Sequence, residues 1–243
     1  MQKKYYKTVF VSDIHLGNPK NQSNKLIDFL KSISTDQLII VGDFIDYRQL
    51  KRFWKWTNKE IETLNFINEL SINGTKITYI QWNHDKTFEC INNIHLENIN
   101  IRKDLIYKSW NWKTYYITHW HNLDNINSSH SFIWKIWSFF YWLLLKVEYL
   151  RNKKCILPLE NSIAETIEQW IKIHRFPKQK LFKVIKKFAK DKPYNWIILW
   201  HFHQPTHDYI DDLEYINTWD WLKNCSAIIE NKNWDLESIS IKK

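Results

Sequence analysis

Thr8-Val9-Phe10-Val11-Ser12-Asp13-Ile14-His15 is a β-branched and aromatic run that ends on an aspartate and a histidine. The arrangement recurs down the chain. Leu38-Ile39-Ile40-Val41 precedes Gly42-Asp43-Phe44-Ile45-Asp46, and Ile77-Thr78-Tyr79-Ile80 precedes Asn83-His84-Asp85. Tyr115-Tyr116-Ile117-Thr118 precedes His119-Trp120-His121, and Trp196-Ile197-Ile198-Leu199 precedes His201-Phe202-His203. Short apolar runs bounded by polar residues read as buried strands. Side chains at the carboxyl ends of such strands face the crevice of an open α/β sheet. Imidazoles, carboxylates and a side-chain amide collected there suit a pair of hard-to-borderline divalent ions rather than a thiolate zinc site. Two such ions clamp a phosphate and lower the pKa of a bound water, which is what hydrolysis of a phosphoester requires. One D-x-H occurs by chance; ordered clusters, each behind a strand, do not.

These clusters resemble those of the calcineurin-like metallophosphoesterase superfamily, whose pattern runs D-x-H, G-D-x-x-D, G-N-H-D/E, H-G-H/D and G-H-x-H. Within it the chain looks most like the UDP-2,3-diacylglucosamine diphosphatase-related branch, on Phe10 through Gly17, Val41 through Asp46, His119 through Asp124 and Tyr215 through Trp221. The likeness runs from about residue 7 to residue 230. It implies an α/β/β/α sandwich, one domain over 1–243, with a helical insertion or lid at about 126–190. It also implies two divalent ions, Mn²⁺ first among them, with Fe, Zn or Mg fitting similar ligands. By motif position, Asp13, His15 and His203 join a bridging Asp43 around one ion, and Asn83, His119 and His201 join Asp43 around the other. His84 stands where the family has a histidine that contacts the substrate phosphate and assists the leaving oxygen. Asp46, Asp85, His121 and Asp124 read as groups that orient the ligands. Arg48 and Arg52 follow the second motif and are candidates to fork onto a substrate phosphate.

The activity implied is hydrolysis of the pyrophosphate in UDP-2,3-diacylglucosamine, or a similar lipid-linked nucleotide, by a metal-bound hydroxide. The best-known members of that branch carry arginine where this chain has His84. That departure leaves open a generic phosphoesterase acting on another small phosphodiester, nucleotide or diphosphate. A metal-free binding protein is the reading from a different class, and it holds if the tryptophans described next are genuine and block the site.

Tryptophan stands at motif positions where the family has glycine: Trp82, Trp120, Trp200 and Trp219. Asn-Trp also occurs at 111–112, 195–196 and 233–234, between strand-like runs where Asn-Gly would make a hairpin turn. The chain has 3 glycines and 15 tryptophans in 243 residues, against an average glycine content near 7%. Glycine serves where the backbone takes positive φ or passes close to a ligand, and indole is the poorest replacement. The expectation is that UGA codons, written here as tryptophan, are decoded as glycine in the source organism.

The length suits one large α/β domain with a buried core. Cys90, Cys155 and Cys225 lie far apart without C-x-x-C, so no disulfide framework or zinc ribbon is indicated. The amino terminus runs into the first strand with no apolar leader, and a cytoplasmic location, peripheral at the inner membrane face, is the expectation. The net charge of +9 suits a phosphate-bearing substrate, but a Lys-, Asn- and Ile-rich composition explains it as well, and no nucleic-acid partner is expected. The first third reads strand–helix–strand–helix–strand. Thr57 and Glu60 form a capping box, Ile61, Leu64, Phe66, Ile67 and Leu70 supply the apolar side of that helix, and Asn73-Gly74 ends it. Strands at about 104–109 and 113–118 follow, with later turns at Asp211-Asp212 and Asn231–Trp234. In the insertion, Ser131–Leu150 is aromatic-rich and charge-free only over Ile136–Leu145, too short to span a bilayer. It either packs on helices at 160–175 and 178–190 or touches acyl chains and the membrane surface. The lysines between Lys178 and Lys190 are a solvated face or a contact for anionic headgroups.

Overall fold

The computed structural model describes residues 3–18, 21–46, 56–81, 99–119, 178–190, 192, 194, 196–200, 206–217, 221 and 224–241. The elements are β1 (Lys4–Ser12), α1 (Ser23–Ser32), β2 (Ile33–Val41), α2 (Asn58–Ile72), β3 (Lys76–Ile80), β4 (Ile99–Arg102), β5 (Asp104–Lys108) and β6 (Thr114–His119). They continue with α3 (Lys178–Ala189), β7 (Trp196–Trp200), β8 (Thr206–Ile210), β9 (Leu213–Asn217), β10 (Ser226–Glu230) and β11 (Leu236–Ser240). Two compact units emerge: Met1–Asn122 with Asp191–Lys243, and Leu123–Lys190, which contains α3. Among the described residues no helix is long and apolar enough to cross a membrane.

The larger unit is an α/β structure with two sheets. One has the order β11-β10-β1-β2-β3-β4, parallel from β1 to β4 and antiparallel at β10 and β11. The other, β5-β6-β7-β9-β8, has a parallel centre and antiparallel edges. Both faces of β1 and β2 are covered, which is why their sequences are continuous apolar runs rather than alternating ones. Val9, Val11, Leu38, Ile40, Ile77 and Tyr79 pack with Leu26, Phe29 and Leu30 of α1 and Leu64 and Ile67 of α2. Phe10, Ile39, Val41, Ile80 and Ile228 point the other way, onto Tyr107, Tyr115, Ile117, Ile198 and Ile216 of the second sheet. A fully buried carboxylate ties this sandwich together. Glu230 accepts from Tyr107 Oη (2.5 Å), Ser109 Oγ (2.6 Å), Trp110 N (3.3 Å) and Thr8 Oγ1 (3.3 Å). Those donors offset the desolvation that an unpaired carboxylate would suffer.

Helix α2 begins and ends as its residues require. Glu60 N donates to Thr57 Oγ1 and Thr57 N to Glu60 Oε2, so the capping box is complete. At the other end Gly74 N reaches Ser71 O and Thr75 N reaches Leu70 O, with Gly74 at φ +97°, a Schellman close that glycine makes without a Cβ clash. The buried stripe differs from the expected one. Glu60, Thr63, Leu64, Ile67 and Ser71 face inward, while Ile61 is 44% exposed and Phe66 and Leu70 are only partly covered. The stripe is centred on the buried Glu60, and this turns the neighbouring Ile61 outward. Strand β2 starts at Ile33, directly after α1, several residues earlier than the run Leu38–Val41 suggests.

Two hairpins share one construction. In β5–β6, Trp112 N donates to Ser109 O and Ser109 N to Lys113 O; in β10–β11, Trp234 N donates to Asn231 O and Asn231 N to Asp235 O. Each is a three-residue loop whose last residue lies in the left-handed region, Trp112 and Trp234 both at φ +67°, the place where such loops use glycine. At the third Asn-Trp, Trp196 is the first residue of β7, and Asn195 lies outside the described residues.

Candidate metal centre

Strands β1 and β2 are parallel neighbours in register, Ser12 beside Val41, so the residues that follow them emerge side by side. The pairing continues beyond the strand ends. His15 N donates to Asp43 O (2.8 Å), Leu16 N to Phe44 O (2.8 Å) and Asp46 N to Leu16 O (2.7 Å). Asp13, His15 and Asp43 sit at φ 50°, 50° and 42°. Aspartate tolerates the left-handed region by local hydrogen bonding, histidine less so, and several such residues in two adjoining loops is strain held in place by the surrounding structure. The strain turns ligand atoms toward one point: one each from Asp13, His15 and Asp43 lie within 4.8 Å of one another.

The imidazole of His15 organises this cluster. Its Nε2 lies 3.8 Å from Asp13 Oδ1 and 3.7 Å from Asp43 Oδ2, while Nδ1 is 3.5 Å from Asp46 Oδ2. Asp46 therefore takes the far nitrogen and leaves Nε2 on the carboxylate side, the arrangement in which a carboxylate orients a metal-binding histidine. Two carboxylates and an imidazole, with Asp13 1% and Asp43 7% exposed, fit a divalent ion.

The calcineurin-like phosphoesterase family matches the chain over residues 6–236. The chain belongs to that family. Calcineurin-like phosphoesterases are metal-dependent hydrolases, and in this one the first two motifs form the cluster just described. None of the curated proteins compared with the chain matches it. Among solved structures, an archaeal phosphodiesterase is 16% identical, with 96% of this chain and 98% of that one covered at a TM-score of 0.45. A phosphopantetheinyl hydrolase from Mycobacterium tuberculosis is 12% identical over 98% and 97%, TM-score 0.45. A predicted phosphoesterase from Streptococcus pneumoniae TIGR4 is 9% identical over 97% and 97%, TM-score 0.38. Likeness at this level adds nothing to the family assignment.

Of the other candidate residues in this calcineurin-like phosphoesterase, His119 is the last residue of β6. Asn83, His84, Asp85, His121, Asp124, His201, His203, Arg48 and Arg52 lie outside the described residues, as do Trp82, Trp120, Trp219 and the 131–150 segment. Trp200 closes β7. The sequence reading missed what Glu60 does beyond its capping box. It also missed Trp221, which is fully buried 5.9 Å from the Phe29 ring, its backbone N–H 3.3 Å from Asp13 O.

Burial disfavours a charged His15, yet the fields of Asp43 and Asp13 and the bond to Asp46 outweigh it and push the imidazole up to about 9. A ligating imidazole must be neutral. Mn²⁺ binding near neutral pH is therefore expected to release about one proton from this group and to tighten as pH rises toward 9. Calorimetric titration in buffers of different ionisation enthalpy checks this, and buffer-independent binding heats would contradict it. For the metal-free chain the sign is opposite. The folded pKa lies above the unfolded value near 6.5, so this contribution to stability is complete below about 6.5 and fades as pH rises through about 9.

Proposed function

We propose that the chain hydrolyses the pyrophosphate of UDP-2,3-diacylglucosamine or a similar lipid-linked nucleotide. The observation that carries the phosphoesterase part is the convergence of Asp13, His15 and Asp43 at strained strand ends. Divalent ions bound there would neutralise the non-bridging oxygens and supply a nucleophile at neutral pH, with Mn²⁺ the favoured ion. Asp13, His15, His203 and Asp43 hold one ion in this reading, and Asn83, His119 and His201 complete a second around Asp43. His84 assists the leaving oxygen, Asp85, His121 and Asp124 orient ligands alongside Asp46, and Arg48 and Arg52 reach the substrate phosphate. Support for the lipid-linked substrate is the aromatic run from Ile136 to Leu145 in the 126–190 insertion, followed in sequence by α3, where Lys183, Lys186 and Lys187 are exposed at i, i+3 and i+4, with exposed Lys190 directly after the helix. Apolar rings with cationic side chains suit peripheral contact with an anionic membrane face.

His84, in place of the arginine of the best-known lipid enzymes, favours a second reading: a phosphoesterase acting on another small phosphodiester, nucleotide or diphosphate. The test is turnover of bis-p-nitrophenyl phosphate with added Mn²⁺, followed by the lipid nucleotide. The lipid reading expects Mn²⁺-dependent turnover of both, with a higher kcat/KM on the lipid nucleotide. Turnover of the simple diester alone supports the second reading. No Mn²⁺-dependent turnover of either would contradict both.

A further inference from the structure

Glu60 is 2% exposed, and its two carboxylate oxygens have different jobs. Oε2 accepts from Thr57 N (2.7 Å) and Thr57 Oγ1 (2.9 Å), which closes the helix cap. Oε1 accepts from Gly17 N (2.5 Å) and Asn21 Nδ2 (3.1 Å), both beyond α2, on the segment that leaves the D-x-H motif. Asn21 Nδ2 also donates to Asn18 O (2.6 Å) and Asn18 N to His15 O (3.0 Å). A bare capping box needs only the first oxygen. We propose that Glu60 is a positioning residue for the metal centre, holding the Asp13–Asn21 loop at the left-handed geometry that aims Asp13 and His15 at the ion. This rests on the metal reading of the cluster. A carboxylate only accepts, so it can meet all of these donors; a glutamine amide would turn NH₂ toward some of them.

Three variants separate positioning from plain stability. Glu60→Gln is expected to weaken Mn²⁺ binding on the order of tenfold, the scale for groups that orient ligands, and to speed hydrogen exchange at the Gly17 amide. Asn21→Ala, which leaves the α2 cap intact, should move both readouts in the same direction. Thr57→Ala loses the cap, so it should lower Tm while keeping Mn²⁺ affinity and Gly17 exchange at parental values. Parental Mn²⁺ affinity in Glu60→Gln and Asn21→Ala would overturn the proposal, as would an equal loss in Thr57→Ala. A parental protein that binds no Mn²⁺ would overturn the metal reading as well, while Gly17 exchange still shows whether Glu60 holds the loop.

The two hairpins carry a second inference independently. Trp112 and Trp234 occupy the same left-handed position of the same loop, each directly after asparagine. Trp112 is 91% exposed, so no packing compensates its side chain at positive φ; Trp234 stacks on Trp110 at 5.1 Å, and there the case rests on the shared φ of +67°. We infer that glycine is the native residue at 112 and 234, encoded by UGA. The gene should show UGA at both positions, and the tryptic peptide Ser109–Lys113 of the protein made in its source should sequence with glycine at 112. Trp112→Gly should raise Tm by a few degrees, because it relieves backbone strain and loses no buried contact. UGG at either position, tryptophan in that peptide, or a Tm lowered by Trp112→Gly would overturn the inference.

Discussion

Asp43→Ala is expected to lower phosphodiester turnover by more than the roughly 10–100-fold typical of groups that only orient ligands, with the fold retained. The reason lies in how Asp43 is held. Its backbone carbonyl accepts from His15 N, and the preceding Gly42 N donates to Ile80 O (2.9 Å), so the loop is fixed by main-chain bonds that the substitution leaves in place. The side chain is where the loss falls: its Oδ2 faces His15 Nε2 at 3.7 Å. Asp43→Asn is the cleaner partner variant, since asparagine also tolerates φ near +42° and removes only the charge. With the carboxylate gone, the field that raises the His15 pKa weakens, so Mn²⁺ binding should release less proton near neutral pH. The check is turnover with saturating Mn²⁺ beside Tm of the metal-free protein. Full activity of Asp43→Ala in metal-depleted buffer would end the metal account.

The other large effect concerns tryptophans 82, 120, 200 and 219. Residues 82, 120 and 200 adjoin candidate ligands in the sequence, at Asn83, His119 and His201. An indole beside an ion adds volume that a close-packed site cannot accept. The chain as written is therefore expected to be poorly active or misfolded, and the chain with glycine at 82, 120, 200 and 219 to bind two metal ions and hydrolyse phosphodiesters. Trp221 is the internal control. It is fully buried against Phe29, so Trp221→Ala should cost about 3–5 kcal/mol, the usual range for emptying a large core site. Equal activity and equal Tm for the written and glycine chains would refute the steric argument.

Much of this was legible in the sequence, and the limits have physical causes. The runs before Asp13 and Asp43 read as strands because both their faces are buried, and the motifs that follow them do meet. The capping box of α2 was visible because it is local, two residues three apart. The reach of Glu60 to Gly17 and Asn21 was not, since it joins segments roughly forty residues apart and only the fold brings them together. The helix stripe was misjudged at Ile61 for a related reason: a buried carboxylate, not an apolar side chain, occupies the inward position beside it. At Asn111-Trp112 and Asn233-Trp234 the turn was legible from asparagine and the flanking strands. At Asn195-Trp196 only the tryptophan is described, as the first residue of β7.

Asp13, His15 and Asp43 together are expected to hold a divalent ion. Anomalous diffraction from crystals of the protein grown with Mn²⁺ tests it most directly. The expected result is a Mn²⁺ peak coordinated by a carboxylate oxygen of Asp13, Nε2 of His15 and a carboxylate oxygen of Asp43, with Nδ1 of His15 still on Asp46. No anomalous peak among these three residues, or an ion bound only elsewhere, would contradict it.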